Sequence, residues 1–181
     1  MINPKESLLI IIDVQEKFRP VLADLDKVIS NVVKLVKAFQ LLEIPILVCE
    51  QYPKGLGETV EEIKNELTGH DYIEKTSFDC FRNGEFSDLL KKKYSDKKHL
   101  IICGIESHVC VFQSVISALS QGYKVYLAAD AVNSRKKSDY EIALRRIENE
   151  GAKLASTEML IFQMITDSKH KCFKDISRIV R

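Results

Sequence analysis

Residues 100–115 read LIICGIESHVCVFQSV, an apolar run that halts at a glycine and resumes around Cys110 with the spacing of a helix. The first part has no polar alternation, so it reads as a strand covered on both faces. The second part continues to Gly122, a glycine that closes a helix over 108–121. A buried strand that runs straight into a helix is the building unit of a parallel sheet. A thiol stands where that helix begins, and it is either core packing or a nucleophile.

The same unit recurs on both sides of this stretch. Residues 7–14, SLLIIIDV, form a near-continuous apolar strand, and 26–42 carry a helical stripe of Val28, Val32, Leu35, Val36 and Phe39. IPILVCE at 44–50 is a second strand, and QYPKGLGET at 51–59 is loop, rich in Pro and Gly. A short helix over 60–67 leads to a third strand, DYIEK at 71–75, and then to a helix over 86–93. Beyond Gly122 come a strand over 123–130, an amphipathic helix over 139–150 closed by Gly151, a short strand over 152–154 and a helix over 157–164. Without repeats or linker-like segments, the expectation is one domain over 1–181. Its fold class is α/β, a three-layer, Rossmann-like, mostly parallel six-stranded sheet with helices on both faces.

Composition narrows the partners. Lys plus Arg number 27 against 26 Asp plus Glu, a balance that gives no electrostatic reason for a nucleic-acid or membrane partner. The most basic patch, KKKYSDKK at 91–98, reads as a solvated helix end. Five cysteines at 49, 80, 103, 110 and 172 include no Cys-x-x-Cys pair, which argues against a disulfide framework and a zinc site. Reduced thiols and a cytoplasmic location are expected. The longest apolar run falls far short of the roughly 20 residues a membrane helix needs.

In a parallel sheet, ligands bind outside the carboxyl ends of the strands, where the strand order switches. The residues to question are therefore Asp13 to Gln15, Glu50 to Tyr52, Lys75, Gly104 to Cys110, and Asp130. Asp13 follows five consecutive aliphatic residues, where a carboxylate is costly to bury without a partner; a turn-forming or capping role weighs equally. Lys75 alone would be an ordinary solvated lysine, and gains weight only if Asp13 and Cys110 converge with it. Ser107 is a candidate N-cap, which places Cys110 in the first turn, where the helix dipole and a nearby lysine lower a thiol's pKa from about 8.5. Cys49, Cys103 and Cys172 read as core thiols, and Cys80 has no base partner in view. His108 lies two residues from Cys110, so the two should point apart on a helix.

Taken together, LLIIIDVQEKF at 8–18, EKTSFDCF at 74–81 and CGIESHVCV at 103–111 resemble the isochorismatase-like cysteine hydrolases. The combination of EQYPKGLG, CGIESHVCV and AADAVNSR is most similar to the isochorismatase domain-containing proteins. The resemblance implies a catalytic triad of Asp13, Lys75 and Cys110. It also implies a cis peptide between Ile105 and Glu106, with the backbone N–H groups of Glu106 and Cys110 forming an oxyanion hole. Nicotinamidases of this family carry an Asp-x-His and a further His after the second strand, whereas VCEQYPKGLGET has no histidine, so no metal and no cofactor are expected. True isochorismatases lack the nucleophilic cysteine, so vinyl-ether hydrolysis is disfavoured too. The implied activity is hydrolysis of a small amide or related C–N substrate through an acyl-thioester. Phe18, Glu50, Gln51, Tyr52, Phe81 and His108 are candidates for the pocket wall, on topology alone. Two other readings stand beside this one: a catalytically silent binding or regulatory protein on the same fold, and a redox-sensing thiol protein. A homo-oligomer is expected from the family's habit of assembly.

Overall fold

The computed structural model describes residues 2–181. Six strands form the sheet: β1 (Ser7–Ile12), β2 (Ile46–Gln51), β3 (Asp71–Lys75), β4 (His99–Ile105), β5 (Lys124–Asn133) and β6 (Lys153–Ala155). Their order is β3-β2-β1-β4-β5-β6, and every adjacent pair is parallel. The chain winds outward from β1 to β3, returns to β4 beside β1, and then winds the other way. The switch point therefore lies between β1 and β4, the place beyond whose carboxyl ends sheets of this kind bind their ligands.

The helices are α1 (Leu25–Leu41), α2 (Pro53–Leu56), α3 (Glu61–Lys64), α4 (Gly84–Lys92), α5 (Phe112–Ser120), α6 (Lys137–Asn149), α7 (Thr157–Ile165) and α8 (Phe173–Val180). Alternation along each strand feeds two cores. Leu9 and Ile11 of β1 join α1, α3, α7 and α8 on one face, while Leu8, Ile10 and Ile12 join α4, α5 and α6 on the other. This is the three-layer arrangement that uninterrupted apolar strands demand, because both sheet faces must be covered.

Several elements differ from the sequence reading. The helix expected over 60–67 shortens to α3, and the loop at 51–59 holds the single turn α2. β5 runs three residues past Asp130, with a register shift between Ile102 and Gly104 of β4 that pairs Gly104 with Val132. The helix α8, absent from that reading, packs Ile176 against the α1 face. Ser107 is not a cap: Glu106 takes that position without a side-chain bond, and a π-helical turn, Ser107–Val111, precedes α5. Cys110 thus sits in a widened turn ahead of the regular helix.

Candidate active site

The register of the sheet decides what can meet at the switch point. Ile12 pairs with Cys49 of β2 on one side and with Gly104 of β4 on the other, so Asp13, one residue on, stands at the mouth between them. Gly104 permits this closeness, since it has φ +120° and a Cβ there would stand 2.0 Å from the Ile12 carbonyl oxygen. Asp13 itself has a positive φ of 55°, a conformation that Asp tolerates better than most residues. Its N–H donates to the Cys49 carbonyl at 2.9 Å, which continues the ladder by one rung while the side chain turns away.

Lys75 is the last residue of β3, two strands from β1, and its side chain spans β2. Its Nζ donates to Asp13 Oδ2 at 2.8 Å, and neither side chain is more than 1% exposed. A carboxylate and an ammonium buried together satisfy the requirement that a buried charge have a partner. The Ile105–Glu106 peptide bond is cis. The Glu106 carbonyl accepts from the N–H groups of Val109 and Val111, which folds the turn that carries Cys110. Cys110 is 7% exposed and neighbours Asp13, each perturbing the other's ionisation. Asp13 Oδ1 is buried and has no hydrogen-bond partner.

The three groups shift one another in a definite way. Burial pushes the Asp13 carboxyl above its ordinary range, against the opposing pull of Lys75. Burial works to lower Lys75, but the attraction of Asp13, Cys80 and Cys110 outweighs it and raises the ammonium. Burial, and then the Asp13 carboxylate, push the Cys110 thiol up. This corrects the expected depressed thiol. In so dry a site, Lys75 is already spent on Asp13, and desolvation of the thiolate dominates. Burial thus favours the thiol form of Cys110 beside the buried Asp13–Lys75 pair.

This geometry has counterparts. The isochorismatase domain model matches residues 7–159. Isochorismatase family protein 1A of Dictyostelium discoideum is 40% identical over 178 residues, covering 97% of this chain and 86% of its own. The chain belongs to the isochorismatase family. Among solved structures, the Caenorhabditis elegans protein described as MAR1 ribonuclease superposes with a TM-score of 0.93 at 36% identity, covering 99% of this chain and 91% of that one. The YcaC gene product of Escherichia coli, described as an octameric hydrolase of unknown specificity, shares the fold with a TM-score of 0.86 at 22% identity, covering 99% and 94%.

Within this isochorismatase-family chain, the wall candidates scatter. Glu50 is buried on the far face of the sheet, where its carboxylate accepts from Thr59 N–H at 2.5 Å, Thr59 Oγ1 at 2.6 Å and Tyr72 Oη at 2.6 Å. It ties the 51–59 loop to β3 beside a cavity of about 400 Å³ that is separated from Cys110 by the sheet. Gln51 bonds Lys75. Phe81 packs edge-on against Phe86, with centroids 5.0 Å apart, and against Tyr123 beyond the end of α5. Phe18 packs against the α1-side core. His108 turns away from Cys110, its Nδ1 2.9 Å from Ser134 Oγ and its Nε2 3.9 Å from Asp139 Oδ2. Tyr52, more than half exposed and at a positive φ of 38°, lines a cavity of about 340 Å³ with Pro53, Lys54, Thr76 and Asn83 above Lys75. Among the described residues, no three His, Cys, Asp or Glu side chains are placed to hold a metal ion.

Arg135 was not singled out from the sequence, and Gln15 and Ser107 were noted there without the surroundings that the structure gives them. Gln15 is fully buried and brackets the backbone of Gln51. Arg135 caps Glu106, its N–H and Nε both 3.0 Å from Oε1. Ser107, buried without a partner for its hydroxyl, lies in the turn before Cys110. The blocks LLIIIDVQEKF and AADAVNSR contain Gln15 and Arg135, and that placement was the available signal.

Proposed function

We propose that this chain is a cysteine-dependent hydrolase that acts on a small amide or related C–N substrate through an acyl-thioester. The observation that carries this reading is the convergence of Asp13, Lys75 and Cys110 at the switch point, with the Asp13 carboxyl bonded to Lys75 and neighbouring the thiol. Asp13 takes the Cys110 proton as the substrate carbonyl docks, and Sγ bonds to the carbonyl carbon. The carbonyl electron pair moves onto oxygen, held by the N–H groups of Glu106 and Cys110. The intermediate collapses, the C–N bond breaks, and the leaving nitrogen takes the proton from Asp13. Water then attacks the thioester and gives a proton to Asp13; the C–S bond breaks, and the thiol recovers that proton. Lys75 stays charged throughout and offsets the negative charge that passes between Asp13 and Cys110. The raised Asp13 suits this role, because a base is most effective when its pKa approaches the working pH.

Two features weigh against the other readings. A protonated and nearly buried Cys110 lacks the thiolate character and exposure that a redox sensor needs. The near-neutral charge, +1, gives no electrostatic reason to expect an RNA substrate, so RNA serves as the counter-screen suggested by the name of the C. elegans protein. A cytoplasmic location accords with the free state of the cysteines. Among the described residues, no helix is long and apolar enough to cross a membrane. Assembly as a homo-oligomer is supported by the description of the E. coli structure, and a monomer at micromolar concentration would sink it.

The test is ammonia release from a panel of small primary amides. Wild type is expected to turn over at least one, and Cys110→Ala to lose at least about a thousandfold in rate with unchanged circular dichroism. Undiminished activity in Cys110→Ala would refute the reading. Binding of the amides without turnover by wild type would support the silent binding protein.

A further inference from the structure

The Lys75 ammonium has a second partner whose role nothing above assigns. A lysine donates up to three hydrogen bonds, and this one is wholly buried. One goes to Asp13 Oδ2, and another to Gln51 Oε1 at 2.9 Å. The Gln51 amide nitrogen donates to the Thr76 carbonyl at 2.7 Å. These two contacts fix the orientation of the amide. Turning it over would set its NH₂ against an ammonium and its oxygen against a carbonyl.

The backbone of Gln51 is held as firmly as its side chain. Its N–H donates to Gln15 Oε1 at 2.8 Å, and its carbonyl accepts from Gln15 Nε2 at 3.1 Å. The same nitrogen of Gln15 reaches the Gly57 carbonyl at 2.5 Å. Gln51 and Lys75 are also direct neighbours in the register of β2 and β3. Contacts from β1's exit, the 51–59 loop and β3 therefore press one neutral acceptor against a buried cation.

We propose that Gln51 is the positioning residue of Lys75, a neutral acceptor that fixes the ammonium beside Asp13 without setting a second negative charge near Cys110. This rests on the triad reading given above. A carboxylate at position 51 would still accept from Lys75 but would add that second charge and give up the bond to the Thr76 carbonyl; an apolar side chain would leave a buried N–H unpaired. The titratable neighbours are Asp13, Cys80 and Cys110 around Lys75, Asp13, Lys75 and Cys80 around Cys110, and Lys75 and Cys110 around Asp13, which also feels Glu50 from the far face of the sheet.

The rate of iodoacetamide alkylation at Cys110, followed by peptide mass spectrometry between about pH 6 and pH 9, reads the thiolate fraction. Gln51→Glu is expected to alkylate about tenfold more slowly than wild type at each pH, the effect of a one-unit rise in the thiol's pKa. Gln51→Leu should be slowed by a smaller factor. A purely structural role would reverse that order, because Glu keeps the acceptor and Leu loses it. Circular dichroism confirms that each variant is folded. Asp13→Asn, which removes the carboxylate opposing thiolate formation, should alkylate faster than wild type. Gln51 variants equal to wild type, or Leu slower than Glu, with Asp13→Asn still fast, overturn this proposal alone. Asp13→Asn equal to wild type overturns the triad reading itself.

Discussion

Lys75→Met is expected to lower the stability of the fold by about 3–5 kcal/mol at neutral pH, since it removes the counter-ion of a carboxylate that is 1% exposed. In a chain of this size that corresponds to a fall in Tm of roughly 10 °C. The pH dependence gives the effect its signature. In wild type, Lys75 has a folded pKa above its unfolded value. Its contribution is fully present below the ordinary lysine pKa and is lost as pH rises through the folded value. In the variant, Asp13 loses the attraction that restrains its upward shift. A carboxyl whose folded pKa lies above its unfolded value binds more protons when folded, so stability falls as pH rises between the two values. Lys75→Met should therefore regain more stability than wild type toward acid pH, where Asp13 is protonated, and should lack the loss that wild type suffers as Lys75 deprotonates at alkaline pH. Urea unfolding across that range measures both. A variant as stable as wild type at neutral pH would show that the buried pair contributes nothing net.

Gly104→Ala should be harsher still, costing more than about 4 kcal/mol or preventing soluble folding. The added Cβ would meet backbone, 2.0 Å from the Ile12 oxygen and 2.6 Å from its nitrogen, at a φ of +120° that L residues rarely adopt. Backbone cannot rotate away as a side chain can, so β1 and β4 must separate at the rung from which Asp13 departs. Gly84 is the control. A Cβ there meets nothing within 4 Å, and Gly84→Ala in the first turn of α4 should change stability by less than about 1 kcal/mol. Comparable unfolding midpoints for the two variants would contradict this account of the β1–β4 approach.

The layers and the parallel sheet were legible because they follow from burial, which the sequence displays directly. SLLIIIDV and LIICGI have no polar face, so they must lie inside a sheet covered on both sides, and the residues after them must stand at its carboxyl edge. Asp13, Lys75 and Cys110 could be named on that basis together with a family resemblance. The amides were less legible. Gln15 follows β1 and Gln51 ends β2 as ordinary polar residues, and the contacts that matter, Gln51 to Lys75 and Gln15 to Gln51, join segments 24 and 36 residues apart. Hydrophobic periodicity carries no information on such polar pairing. The thiol was misjudged for a related reason: proximity to a helix start and to a lysine is visible in sequence, but the depth of burial and the prior claim of Asp13 on that lysine are not. The terminal α8 escaped because its eight residues lie at the end of the chain, and its packing on α1 is a tertiary fact.

The central claim is that Cys110 becomes acylated during turnover. Its most direct test is mass spectrometry of acid-quenched protein during reaction with p-nitrophenyl acetate as acyl donor. The account predicts an acetyl group on the Cys110 sulfur in wild type, removable by hydroxylamine as a thioester should be. Release of p-nitrophenol with Cys110 unmodified, or with the acetyl group on another residue, would contradict it.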